Sequence, residues 1–410
     1  MSQPWKTPKW FVSPWNYLPE VASEYAFAPR IQIHDMTLRD GEQQAGLEFR
    51  KDDKIRIAEA LAEAGVHRIE AGMPAVSKQD EEAIREIVKR NLGPEIFAFC
   101  RCVVDDVKRA ADCGVSGIVI EIPASEHIIR YAYQWPLERA IDLSIQATSM
   151  AKELGLYTAF FTIDATRADM DWLLDLLEKV ATEGHMDSLV LVDTMGGANP
   201  QAIRYFVKKV RERFTQPLEA HFHNDFGLAV ANTLQALMMG VEVAHVTVGG
   251  MSERAGAAAL EEVVVALLTL YGMDVGVRCE KLYALAELAT SLSSHILAPN
   301  KAIVGKDLFT IESGIPAAWT RRCQGELITE VFPLHWELMG HPGPQIVLGK
   351  GSGTPSIEIW LERLGIQATP AQVESLTLRV KEKSLEKKGL LTEEEFLALV
   401  HEILDNEPKR

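Results

Sequence analysis

The run Glu219-Ala-His-Phe-His-Asn-Asp-Phe-Gly227 decides how the fold of this chain is interpreted. It has the composition of a short strand that ends at Asn224, where polar residues and a flexible turn follow. Strand side chains alternate between two faces, so His221 and His223 project from the same side, about 7 Å apart. A His-x-His pair is often merely half-buried in a strand. Here its place before a polar turn, at the carboxyl end of a strand, favours a metal site.

A repeating pattern surrounds this run. From residue 31 onward, β-rich segments alternate with stretches of helical periodicity. Strands are predicted at 31–36, 67–72, 95–101, 117–123, 157–163, 188–194, 218–224 and 243–249. Helices are predicted at 51–65, 77–91, 103–113, 136–154, 169–184, 199–214, 227–240 and 254–271. The alternation predicts an α/β fold of the (β/α)₈ TIM-barrel type. A doubly wound sheet is the competing interpretation, disfavoured because no GxGxxG follows the first strand.

The remaining segments flank the predicted barrel. An extended arm rich in tryptophan and proline is predicted at 1–30, the catalytic barrel at 31–275, a linker subdomain at 276–344 and a small, mostly helical C-terminal subdomain at 345–410. Exposed tryptophans are costly, so we expect the arm to lie on its own barrel or on a second subunit. A homodimer is the predicted assembly.

Composition excludes some partners. The chain has 410 residues, 47% of them hydrophobic, and a formal net charge of −16 without a long basic run, which argues against nucleic acid. No apolar run approaches the roughly 20 residues of a membrane span, and prolines interrupt any signal-like core. The five cysteines are an odd number without a Cys-x-x-Cys motif, which predicts reduced thiols and a cytoplasmic protein.

Polar residues cluster where the predicted strands end, the face on which barrels carry function. Asp40, with His221 and His223, suits a divalent metal and leaves positions for water and substrate. Arg39 is a candidate to stabilise an enolate or alkoxide oxygen, although a surface salt pair with Asp40 is the simpler alternative. Glu70 is either catalytic or a partner that holds the Arg39 guanidinium. The other candidates are catalytic Glu42 and the substrate-binding residues Glu121, Arg167 and Thr194.

Three motifs resemble the DRE-TIM metallolyases. They are Asp35-Met-Thr-Leu-Arg-Asp-Gly-Glu-Gln43 with Glu70, the run from His221 to Asn232, and Glu253-Arg-Ala-Gly256. Within that superfamily the chain is most similar to 2-isopropylmalate synthase and its relatives homocitrate and citramalate synthase, over roughly residues 31–404. The resemblance implies that Asp40, His221 and His223 bind the metal, that Arg39 and Glu70 are catalytic, and that Thr194 contacts the carboxylate of a 2-oxo acid.

The chain departs from the synthases at four positions. Ala257 stands where they carry an asparagine near or on the metal, and Ile163 replaces a glutamate of the fifth strand. Ile311 and Pro316 replace two histidines beside Glu-Ser-Gly-Ile. Isoleucine makes a site drier and removes a candidate base. We therefore expect the half of the site that binds metal and oxo acid to be retained and the acyl-CoA half to be altered.

The sequence thus predicts an acyltransferase that condenses an acyl-CoA, or a related donor, with a 2-oxo acid by Claisen-type chemistry. One alternative is a lyase that cleaves a hydroxy-carboxylate in the reverse direction, as hydroxymethylglutaryl-CoA lyases do. The other is a barrel that binds a small acid or a metal without turnover. Mn²⁺ or Mg²⁺ is the expected cofactor, and Zn²⁺ or Co²⁺ also suits the ligands.

Overall fold

Eight parallel strands close into a barrel in this computed structural model, which describes residues 3–404. Each strand pairs with the next in sequence, and β1 pairs with β8. The predicted (β/α)₈ fold is confirmed. The strands are β1 Gln32–Asp35, β2 Arg68–Glu70, β3 Glu95–Arg101, β4 Gly117–Pro123, β5 Tyr157–Ile163, β6 Ser188–Asp193, β7 Leu218–Phe222 and β8 Val243–Val246.

Helices alternate with these strands along the chain. A short helix α1, Pro19–Ala22, precedes the barrel. Amphipathic sequences bury one face of each later helix, as in α3, where Ala83, Ile84 and Ile87 are buried. The helices are α2 Lys51–Ala64, α3 Lys78–Lys89, α4 Val104–Asp112, α5 Leu137–Glu153, α6 Met170–Glu183, α7 Pro200–Arg211, α8 Ala229–Leu237, α9 Leu260–Leu270 and α10 Leu282–Ser291.

The segment after β8 is the largest departure from the predicted helix bounds. The helix predicted at 254–271 begins only at Leu260. Arg254 and Gly256 have positive φ angles of 56° and 93°, which an α-helix does not accommodate. The chain instead folds back over the strand ends, where Ala257 forms an isolated bridge with His223. This loop borders the predicted site.

The barrel interior combines an apolar cluster with buried charged groups. Phe97, Phe99, Val119 and Phe161 belong to a cluster of buried side chains contributed by β3 to β6. Charged or polar side chains on β1, β2, β7 and β8 are equally buried, at 0 to 5% exposure: His34, Arg68, Glu70, Glu219, His221 and His245. Burying charge is costly unless each group is paired, so these residues require partners.

The described residues form two compact units with bounds that differ from the predicted ones. Residues 15–298 form one unit, and residues 3–14 with 299–404 form the other. The start of the arm therefore lies on the C-terminal segment of its own unit, because Phe11 N donates to Pro333 O at 2.9 Å. From Trp15 onward the arm belongs to the barrel unit, where Tyr17 donates to Thr269 O at 2.7 Å.

The second unit is a small, mostly helical body, as predicted for the C-terminal region. Strands β9 Thr310–Ile311 and β10 Gln345–Ile346 pair in parallel. Trp360, Leu376 and Phe396 are among its buried residues. Its helices are α11 Gly314–Arg322, α12 Thr354–Leu364, α13 Pro370–Lys387 and α14 Glu393–Leu404. Residues 1, 2 and 405–410 of the predicted segments lie outside the described residues.

Candidate metal centre

Asp40, His221 and His223 meet at the carboxyl end of the barrel. Each offers a ligand atom, and these three atoms lie within 4.8 Å of one another. The two imidazoles project from the same face of β7 and the start of its following turn, with their Nε2 atoms 3.4 Å apart. Asp40 lies in the turn that follows β1. All three side chains are buried, at 1%, 0% and 5% exposure respectively. The structure thus brings together the three residues predicted to bind metal.

Arg39 and Ser252 hold the Asp40 carboxylate. Arg39 Nη1 donates to Asp40 Oδ1 at 2.9 Å, and the Ser252 hydroxyl donates to Oδ2. Arg39 Nε donates to Glu70, and its guanidinium lies 3.8 Å above the Phe99 ring. Arg39 Nη2 is buried and has no hydrogen-bond partner among the described residues. An unpaired buried donor is costly, so this N–H is available to a ligand oxygen.

The protonation states of the cluster suit a cation. Burial would raise the pKa of Glu70, but Arg39 and a hydrogen bond from His34 outweigh it and hold that pKa at about 2. Burial, His223 and His245 lower the pKa of His221 well below its usual value. A neutral imidazole keeps a lone pair for a metal. Ligands about 2.1 Å from one ion would be separated by about 3.0–3.4 Å, which the observed separation of the Nε2 atoms matches. These residues fit a divalent metal.

A second group of possible ligands lies deeper in the barrel. Ligand atoms of His34, Glu219 and His245 also fall within 4.8 Å of one another. The His34 and His245 rings are stacked, with centroids 4.3 Å apart and planes inclined by 9°. Imidazole lone pairs lie in the ring plane, so stacked rings do not point at a common ion. Arg68 Nη1 already contacts Glu219 at 2.9 Å. We interpret this group as a hydrogen-bonded network.

Two predicted site residues have other partners. Glu42 Oε2 lies 2.5 Å from Lys54 Nζ, and its Oε1 accepts a hydrogen bond from Phe49 N at 2.8 Å. These contacts tie down the loop after Asp40, and a catalytic role for Glu42 stays a prediction. Arg167 donates to Asp164 through Nε at 2.6 Å and Nη2 at 2.9 Å. That guanidinium is paired with an internal carboxylate, although its side chain is 46% exposed, and a substrate-binding role for Arg167 stays a prediction.

Thr194 and Glu121 remain candidates for the substrate side. The Thr194 hydroxyl accepts a hydrogen bond from Asp164 N at 2.7 Å, which leaves its proton to donate. Glu121 is partly buried near the end of β4 and lines a cavity of about 250 Å³ with Arg101, Tyr133 and Trp135. Burial raises the pKa of Glu121 to about 7, against the opposing effects of Arg39 and Arg101.

Sequence reasoning missed the residues that surround the metal ligands. Ser252 was hidden because no pattern connects it with Asp40, 212 positions away. A signal existed for Glu219, which shares the face of His221 and His223 by the same alternation along β7. His245 and His34 pair in register on β8 and β1. A single-sequence pattern does not reveal which strand faces which at this level.

The four departures from the synthases fall in both units. Ala257 pairs with His223, so it borders the candidate metal centre with a methyl group in place of an amide. His223 Nδ1 is buried without a partner among the residues described. Ile163 is the last residue of β5. Ile311 in β9 and Pro316 in α11 belong to the second unit.

The closed (β/α)₈ barrel carries a carboxylate and two imidazoles at the ends of its strands. The chain is therefore a barrel protein with a candidate divalent-metal centre. The HMGL-like family model matches residues 30–289. The chain belongs to the HMGL-like family. It is 35% identical over 398 residues to homocitrate synthase from Methanothermobacter thermautotrophicus, covering 96% of this chain and 98% of that protein. It is 37% identical to 2-isopropylmalate synthase from Methanocaldococcus jannaschii, covering 93% and 73%. The predicted resemblance is confirmed.

Solved structures agree on the fold. The crystal structure of an HMG-CoA lyase from Bacillus subtilis superposes with a TM-score of 0.59 at 23% identity, covering 65% of this chain and 95% of that one. At this identity the likeness shows the barrel fold alone. No helix in the described part of the chain combines the length and apolarity required to cross a membrane.

Proposed function

We propose that this chain condenses an acyl-CoA with a 2-oxo acid in a divalent-metal-dependent, Claisen-type reaction, as an acyltransferase of the 2-isopropylmalate synthase type. The observation that carries the proposal is the unpaired Arg39 Nη2 beside Asp40, His221 and His223. Such a donor is placed to stabilise negative charge on an oxygen next to the metal position. The relatives named above are synthases, which supports this direction over the lyase alternative.

The residues of the chain divide the work as follows. A divalent ion held by Asp40, His221 and His223 would polarise the carbonyl of the 2-oxo acid. The carbon next to the thioester loses a proton to a base, the electron pair of that C–H bond forms the new carbon–carbon bond, and the carbonyl pair moves onto oxygen, which then takes up a proton. Arg39 Nη2 donates to that oxygen, and the Thr194 hydroxyl donates to the substrate carboxylate. Water then cleaves the thioester and releases free coenzyme A.

We assign a proton-transfer role to Glu121. Ile163 supplies no ionisable group at its position, whereas Glu121, on the neighbouring strand β4, is a carboxyl group whose pKa burial raises to about 7. A group with a pKa near the working pH is suited to accept and return protons. This assignment extends the sequence prediction, which gave Glu121 a substrate-binding role only.

Glu121→Gln is expected to lower kcat by about 10²–10⁴-fold, the usual scale of general acid–base catalysis. Because burial raises the pKa of Glu121, its basic form accumulates as the pH rises through about 7. The rate of the unmodified protein should therefore climb across that pH range, and the glutamine variant should lose that step. Glu121→Asp, which retains a carboxyl group, is the matched control and should keep it. A glutamine variant with the same inflection near pH 7 would refute the assignment.

Free-thiol release tests the proposed reaction itself. The purified chain would be incubated with acetyl-CoA and a panel of 2-oxo acids, with Mn²⁺, with Mg²⁺ and with EDTA. We expect thiol release that requires both an oxo acid and a metal. Production of an oxo acid from hydroxy-carboxylates without thiol release would favour the lyase.

The identity of the metal as Mn²⁺ or Mg²⁺ stays a prediction. The homodimeric assembly also stays a prediction, to be checked by analytical ultracentrifugation.

A further inference from the structure

A series of buried, hydrogen-bonded side chains leads from the candidate metal centre into the barrel. His221 Nδ1 lies 3.4 Å from His245 Nδ1, and His245 Nε2 lies 2.7 Å from Glu219 Oε2. The other Glu219 oxygen accepts hydrogen bonds from Arg68 Nη1 at 2.9 Å and from the Ser188 hydroxyl at 2.6 Å. Every member is buried. This series begins at Nδ1 of His221, whereas Nε2 of the same ring faces His223.

These contacts determine where the protons lie. The Glu219 carboxylate can only accept, because Arg68 Nη1 pairs with it at 2.9 Å and its Oε1 also accepts a hydrogen bond from the Ser188 hydroxyl. His245 Nε2 must therefore carry a proton, and in a neutral imidazole the other nitrogen is then an acceptor. His245 Nδ1 accordingly accepts a hydrogen bond from the Nδ1–H of His221. The lone pair of His221 then remains on Nε2, the atom that faces His223.

Packing fixes the orientation of both rings. His34, the register partner of His245 on β1, stacks on the His245 ring at 4.3 Å. The edge of the His221 ring meets Phe161, with centroids 4.7 Å apart and planes at 80°. Rotation of either ring would break these contacts together with the hydrogen bonds. The geometry is thus held from several sides.

We propose that His245, anchored by Glu219 and Arg68, is a positioning residue that keeps His221 in its Nδ1–H tautomer and so directs the His221 Nε2 lone pair toward a divalent ion. The inference rests on the metal centre of the proposed function and extends it to residues outside the ligand set. Hydrogen-bond partners of this kind orient metal-binding imidazoles and increase their basicity. A buried Glu–Arg pair stabilises a fold weakly compared with apolar packing. Fold stability alone therefore does not explain this network, whereas orientation of His221 does.

The test compares His245→Leu with His245→Asn in the full-length chain. Leucine and asparagine have nearly the same shape, but only asparagine offers an oxygen acceptor near the former Nδ1. The dissociation constant for Mn²⁺ is measured from the EPR signal of free Mn²⁺, and circular dichroism verifies folding. We expect His245→Leu to raise Kd about 10–100-fold and His245→Asn to keep Kd within about threefold of the unmodified value. A folded leucine variant with an unchanged Kd, or equal losses in both variants, would overturn the proposal.

A second measurement needs no substitution. In the metal-free protein labelled with ¹⁵N-histidine, NMR should show His221 protonated on Nδ1 and His245 protonated on Nε2. A His221 proton on Nε2 instead would overturn the proposal, even if the leucine variant failed to fold. The experiments also distinguish failure of the proposed metal centre from failure of the His245 proposal. If the unmodified protein binds no Mn²⁺, both the metal centre and the role of His245 are refuted. If it binds Mn²⁺ tightly and the leucine variant binds equally well, only the role of His245 is refuted.

Discussion

Asp40→Ala is expected to abolish metal-dependent thiol release, with a fall in rate on the order of 10³-fold, because loss of metal catalysis removes several kcal/mol of transition-state stabilisation. Asp40 is the only carboxylate in the cluster with His221 and His223, among the residues described. Its removal leaves two imidazoles, which bind a divalent cation weakly without an anionic partner. The Kd for Mn²⁺ should rise at least about 100-fold in the same variant.

The control for this experiment is Asp175→Asn, which also removes one negative charge. Asp175 lies on α6, where its side chain is 66% exposed and pairs with Arg213. Its substitution should leave both the rate and the Kd for Mn²⁺ unchanged. An Asp40→Ala variant that turns over at the unmodified rate with saturating metal would show that the reaction does not depend on this cluster.

Arg39→Lys is expected to separate catalysis from metal binding. The three nitrogens of the Arg39 guanidinium face different groups. Nε contacts Glu70, Nη1 contacts Asp40, and Nη2 is left for a substrate oxygen. A lysine retains the charge but cannot fill all three positions. Removing one donor to a developing oxyanion typically costs about 10²–10³-fold in kcat. The Kd for Mn²⁺ should change far less, since Asp40, His221 and His223 remain.

Arg85→Lys supplies the matched surface control. Arg85 lies on the outer helix α3 and pairs with Glu81 one turn away, so exchanging it should alter neither kcat nor metal affinity. If Arg39→Lys instead weakens Mn²⁺ binding as much as it lowers kcat, Arg39 acts by holding Asp40 rather than by stabilising charge on the substrate.

Periodicity predicted the barrel because its two layers repeat in the sequence. Strands of period two and helices of period 3.6 alternate eight times, and the observed bounds of β3, β4 and β5 coincide with the predicted ones. The helix predicted at 254–271 was too long, since periodicity does not register the positive φ angles of Arg254 and Gly256. The destination of the arm was equally hidden, because an extended segment carries no pattern that specifies the surface it covers.

The candidate site was predictable where it coincides with a strand end. Asp40 and the two histidines follow directly from that rule, although they are separated by some 180 residues. Glu42 shows the limit of the rule: it lies beside Asp40 in sequence, yet its carboxylate turns to Lys54. The network through His245 and Glu219 depends on the register between neighbouring strands, which is a property of the closed barrel.

The position of the bound cation can be measured directly. A crystal grown with Mn²⁺ would be measured near the manganese absorption edge, and the anomalous difference map would be calculated. We expect one strong peak within about 2.0–2.3 Å of the Asp40 carboxylate and of Nε2 of His221 and His223. A peak among His34, Glu219 and His245 with none at Asp40 would contradict this expectation.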